Sequence, residues 1–137
     1  MGNPPDPETV VVGLVGVYDA VGTLRGEVAY WVGARLGRTH CALCEVTHGV
    51  FAERAEWRAA RNALPVPFTT FHLDDQPDEA RACGGGRAPV VLARTPGGLQ
   101  VLLGPAALDG CRGSPTRLVG LLDRAVADAG LAWPVVP

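Results

Sequence analysis

His40-Cys41-Ala42-Leu43-Cys44-Glu45-Val46-Thr47-His48 gathers two of the chain's four cysteines and two of its three histidines into one short stretch. Read as a helix, it spaces Cys41, Cys44 and His48 at i, i+3 and i+7, so the three share a face. Two chemistries suit that face. A Cys-X-X-Cys at a helix start is a dithiol/disulfide pair whose first thiolate is favoured by the helix N-terminus. The same residues, joined by His40 or by the distant Cys83, supply the soft donor set that holds Zn or Cu(I). The plain alternative is two buried cysteines and two surface histidines.

Upstream of this stretch, residues 9–18 (TVVVGLVGVY) form a Val-rich run too uniformly apolar for a one-sided strand. Such a run fits a central strand covered on both faces. Residues 26–37 then carry Val28, Val32 and Leu36 at helical spacing with Gly37 as a stop, which predicts a helix inserted before the cysteines. Downstream, residues 51–64 (FAERAEWRAARNAL) predict a helix whose Ala52, Ala55, Ala59 and Ala63 form a smooth face for lying on a sheet. Counted backwards, that stripe continues onto His48, Cys44 and Cys41, so an unbroken helix from about residue 41 would turn both thiols toward the core.

Pro65 and Pro67 end the helix, and residues 66–73 (VPFTTFHL) predict a second strand ending at His72, an isolated histidine of the surface or core. Asp74 to Arg81 predicts a short helix with Asp75 as its cap, followed by Cys83 and the triglycine Gly84-Gly85-Gly86. The triglycine lacks the Gly-Lys-Ser/Thr ending of a phosphate loop and reads as a turn. Residues 88–94 and 99–104 predict a hairpin across Thr95-Pro96-Gly97-Gly98. Ser114-Pro115 is a cap with proline at the first helical position, opening a last helix with Leu118, Leu122, Ala125 and Ala129 on its apolar face. Cys111, in the loop before it, is expected to be structural or incidental, and Trp133 beyond it a packing anchor.

With 137 residues, 47% hydrophobic and 19% charged, the chain has the size and balance of one globular domain. Residues 9–137 are expected to form that domain and residues 1–8, rich in proline, a disordered tail. All twelve basic residues are arginine and the net charge is −2. The scattered arginines leave no basic stripe for a nucleic acid backbone. No run is long enough to span a membrane, and the N-terminus has no basic region leading to a cleavage site. The expectation is a cytoplasmic protein with no nucleic acid and no membrane partner. In a reducing compartment, four cysteines point to catalysis, metal or burial rather than to structural disulfides.

The elements run strand, helix, strand, short helix, strand, strand, helix, with the Cys-X-X-Cys at or near the start of the first core helix. That order resembles the thioredoxin-like superfamily, with a βαβαββα core and here an extra helix before the motif. Cys41-Ala42-Leu43-Cys44 would be its redox motif. Pro89, in Arg87-Ala88-Pro89-Val90-Val91-Leu92, would be the matching proline, preceded by a cis peptide bond at the head of the third strand and packed against the reactive cysteine. X-Pro is the setting in which a cis bond costs little. The resemblance implies an α/β fold and a thiol–disulfide oxidoreductase, and the alternation of Val-rich strands with helical segments predicts a mostly parallel sheet with helices on both faces. Cys41 would attack, aided by His40; Cys44 would resolve the mixed disulfide; Pro89 would shape the groove for a protein or small-molecule thiol or disulfide. No cofactor is needed for that chemistry. The alternative remains a Zn or Cu module built on Cys41, Cys44 and His48 with Cys83 or His40.

Overall fold

A computed structural model describes residues 6–19, 42–47 and 54–135. The chain forms a four-stranded mixed sheet in the order β2-β1-β3-β4, with β1 at Gly13–Val17, β2 at Phe68–Phe71, β3 at Val90–Thr95 and β4 at Gly98–Leu103. Five α-helices are described: α1 (Ala42–Thr47), α2 (Ala55–Ala63), α3 (Asp78–Gly84), α4 (Pro105–Asp109) and α5 (Pro115–Asp128). No helix among the described residues is long and apolar enough to cross a membrane. The helix expected over residues 26–37 and the tail before Asp6 lie outside the described residues, while Pro7–Thr9 forms a 3-10 turn capped by the Asp6 carboxylate.

The Val-rich run does become the central strand: β1 pairs β2 on one side and β3 on the other. The sheet is less parallel than expected. Only β1 and β2 are parallel neighbours, whereas β3 runs antiparallel to both β1 and β4. The reason lies in the register, because Phe71 at the end of β2 and Val90 at the start of β3 both flank Val17. The chain between them leaves and re-enters at the same end of the sheet. A parallel partner needs a crossover that carries the chain back along the strand length, and here α3 does not make that journey.

Alternation along the strands divides the core in two. One face carries Leu14, Phe68, Val91, Ala93 and Leu103 and packs against helical residues Leu43, Trp57, Leu108, Leu118, Leu122 and Val126. The other carries Val15, Val17, Val90 and Leu92 and packs against Ala80 and Cys83 of α3. Among the described residues, helices therefore cover both faces, four on the first and one short helix on the second.

Two helices depart from the sequence reading. Arg54, before α2, has extended backbone (φ −70°, ψ 136°) and its N–H donates to the Thr47 carbonyl, so α1 and α2 are separate helices rather than one unbroken run. Within α2 the alanine stripe is turned outward: Ala55, Ala59 and Ala63 are exposed, while Trp57 is buried with Ala60 and Leu64 packed beside it. Trp57 meets Phe68 edge-on at 5.0 Å between ring centres. One indole removes far more apolar surface from water than three methyl groups, so it decides which face is buried. The short helix after β2 also starts later than expected, at Asp78 with Pro77 at its cap, because the Asp75 carboxylate is engaged with His72 instead.

Candidate functional site

The site begins where β1 and β2 stop and β3 starts. Ala88–Pro89 is a cis peptide bond, as the sequence suggested, and Pro89 is buried immediately before Val90, whose register partner is Val17. Pro89, Tyr18 and His72 thus stand at one end of the sheet, each next to the strand residue that meets at Val17.

Helix α1 brings Cys44 onto the face with four helices. Leu43, Val46 and Thr47 are fully buried and Cys44 is 4% exposed, because α1 is packed against α2, α4 and α5. Gly16 is what lets the helix settle so closely on the central strand. A Cβ there would stand 3.1 Å from Leu43 Cδ2 and 2.9 Å from Phe68 Cε1, closer than carbon atoms pack.

Of the residues singled out from sequence, Cys44, Cys83 and Pro89 are placed; His40, Cys41 and His48 lie outside the described residues. Cys83 is on α3, packed against the opposite face of the sheet from Cys44. The sheet therefore lies between Cys83 and Cys44. Strand parity, which decides the face on which α3 lies, has no local mark in the sequence. Burial pushes the Cys83 thiol above its ordinary pKa. Cys111 is fully buried, as expected of a structural thiol, and burial raises it too, against a smaller opposing pull from the Arg117 charge. No group of three or more His, Cys, Asp or Glu side chains that could hold a metal is present among the described residues.

A polar network beside Cys44 escaped the sequence reading. The Tyr18 hydroxyl and Thr47 Oγ1 are 2.9 Å apart in a buried hydrogen bond that ties the end of β1 to the end of α1. The Tyr18 ring lies 5.5 Å from that of His72, tilted by 51°. His72 is held in turn by Asp75, whose carboxylate accepts from the His72 backbone N–H and stands 3.3 Å from its Nδ1. A local signal existed: Asp75 three residues after His72, in the polar turn that ends a strand, is the pattern of a side chain folding back onto backbone N–H. The Tyr18–Thr47 bond carries no such signal, since it joins residues far apart in the chain.

Comparison with protein-family models, curated proteins and solved structures returns no match.

Proposed function

We propose that this chain is a thioredoxin-like thiol–disulfide oxidoreductase. Cys41 attacks a protein or small-molecule disulfide, Cys44 resolves the mixed disulfide, His40 favours the Cys41 thiolate, and Pro89 shapes the groove. The observation that supports it most is the order of elements around Cys44. The helix bearing Cys44 is the first described element after the central strand, and beyond a second helix, α2, the order continues strand, helix, strand, strand and two helices, with a cis proline at the head of β3. The near-complete burial of Cys44 suits a resolving sulfur, which needs to meet only its neighbour and not the substrate.

The test is thiol exchange. Cys41→Ser abolishes reduction of a small disulfide, and Cys44→Ser traps a covalent adduct through Cys41 that mass spectrometry detects. Equal activity in the parent and Cys41→Ser proteins sinks the reading. So does a stoichiometric Zn or Cu ion in protein purified without added metal and lost in Cys44→Ser and His48→Ala, which is the outcome the metal-module alternative requires.

A further inference from the structure

β4 is an outer strand of the sheet, and among the described residues it pairs with β3 alone, so the other edge of its backbone has no strand partner there. Edge strands that stay single carry charge, proline or a bulge that breaks up the free edge. Gly98-Leu99-Gln100-Val101-Leu102-Leu103 has no charged residue and no proline. It does have a bulge at Leu102, where the register with β3 passes from Leu103 opposite Val91 to Val101 opposite Leu92. That leaves Gly98 to Val101 as a regular, uncharged edge.

A hollow of about 360 Å³ opens between β4 and α5, lined by Val101 and Leu102 on one side and Leu121 and Ala125 on the other. Arg124 and Asp128 line it too, both exposed and one helical turn apart on α5. Among the described residues neither makes a hydrogen bond or an ion pair, with the other or with anything else. We infer that this surface docks a second copy of the chain, with the two β4 strands antiparallel about a two-fold axis. The inference does not rest on the thiol chemistry proposed above.

A two-fold contact must be self-complementary, because any residue that meets another is met by it in turn on the other side of the axis. A patch of one sign would repel its own copy. Two opposite charges one turn apart do the reverse when the axis passes between them: Arg124 of each copy faces Asp128 of the other, and one pair of residues yields two ion pairs. The same axis runs the two β4 strands in opposite directions, so their free N–H and C=O groups meet as an antiparallel ladder. The apolar floors of the two hollows, Leu102, Leu121 and Ala125 from each copy, then close on one another and leave water.

Sedimentation equilibrium of the full chain tests this, with a reductant present so that no disulfide joins two copies. A four-residue ladder flanked by two exposed ion pairs is a small interface, so a dimer with a Kd of about 10 µM is expected. Arg124→Asp and Asp128→Arg each set like charges against one another on both sides of the axis, and each weakens the dimer at least roughly tenfold. Both residues are exposed, so neither change touches the core. Mixed in equal amounts, the two variants regain the parent's affinity, because in the mixed dimer every aspartate at these positions faces an arginine. Amide exchange at Gly98 to Val101 slows as the parent dimerises. A parent that is monomeric at about 100 µM overturns the inference in favour of a strand from a different protein. A dimer indifferent to both reversals, a mixture that stays monomeric, or a dimer whose β4 amides gain no protection overturns it as well.

Discussion

The two faces of the sheet share the same strands and are nevertheless built differently. On one, Leu14, Gly16 and Val91 lie beneath α1, α2, α4 and α5, and a Trp, five further leucines and two cysteines are buried with them. On the other, Val15, Val17, Val90 and Leu92 are covered by the seven-residue α3, and a hollow of about 220 Å³ opens beside Val15, Thr69, Phe71 and Arg94. The thick face positions Cys44 and the Tyr18–Thr47 bond; the thin one carries Cys83 and an exposed ion pair between Arg94 and Glu79 at 2.6 Å. Among the described residues, the deeper packing lies on the side that holds Cys44.

That contrast is open to measurement. Leu14 and Leu92 are both buried on the sheet, at 1% and 0% exposure, but point to opposite faces. Leu14→Ala is expected to cost about 4–5 kcal/mol and Leu92→Ala about 2–3 kcal/mol in chemical denaturation, because the loss depends on how far the surroundings can close over the gap. Among the described residues, one short helix backs Leu92 and can settle inward, whereas the four helices over Leu14 hold one another in place. Equal losses would erase the distinction between the faces.

Gly16→Ala tests the thick face from the other direction. The added methyl meets Leu43 and Phe68, so overpacking of about 1–3 kcal/mol is expected. Gly13, whose Cβ would meet nothing nearer than the Pro67 carbonyl at 3.9 Å, is the control and loses less on the same substitution.

The buried thiols give the faces different responses to alkali. Cys111 and Cys83 have folded-state pKa values raised by burial. Each therefore contributes stability that is present below the pKa of the unfolded thiol and lost as pH climbs through the raised folded value. Thermal stability is expected to fall above about pH 9, and Cys111→Ala should flatten that fall more than Cys83→Ala, since Cys111 is the fully buried one. A profile unchanged in both variants would remove the thiols as its cause. The smallest effect belongs to Arg94→Ala. Its partner Glu79 is 56% exposed, and such pairs contribute about 0–1 kcal/mol, so a larger loss would show that the thin face depends on it.

The strands were legible because each is a short apolar run bounded by turn residues. The hairpin could be read from Thr95-Pro96-Gly97-Gly98, and α5 from Ser114, whose side chain does accept from the Arg117 N–H at 3.2 Å. What misled was regularity without area: the alanines of α2 repeat at helical spacing, but Trp57 has the surface. The apolar face of α5 shows the same rule, since Val126 is buried where Ala129 had been expected. Relations across the sheet were not legible at all. Neither the separation of Cys44 from Cys83 nor the meeting of Tyr18 with Thr47 and His72 follows from spacing, because each depends on which face and which end a distant element reaches. Pro89 was the exception, since an X-Pro bond at the head of a strand announces itself locally, and its cis form is found there.

The chain's outermost described segments meet in a clasp. Val10 and Ala132 form a parallel bridge, with the Val11 N–H donating to the Ala132 carbonyl at 2.8 Å and the Ala132 N–H to Thr9 at 3.0 Å. Trp133 next to it is fastened to α5 by its indole N–H on Asp123 at 2.9 Å. Synthesis on a ribosome runs in one direction, so the residues leading into the central strand are made first and wait for a partner made more than a hundred residues later. Until Ala132 has emerged, the run that becomes β1 has only part of its hydrogen bonding within reach, and closing so long a loop carries its own entropic cost. The last turn of α5 and the few residues beyond it therefore act as a latch on a strand laid down more than a hundred residues earlier, and a nascent chain stopped short of Ala132 would hold a Val-rich segment that the finished fold keeps covered.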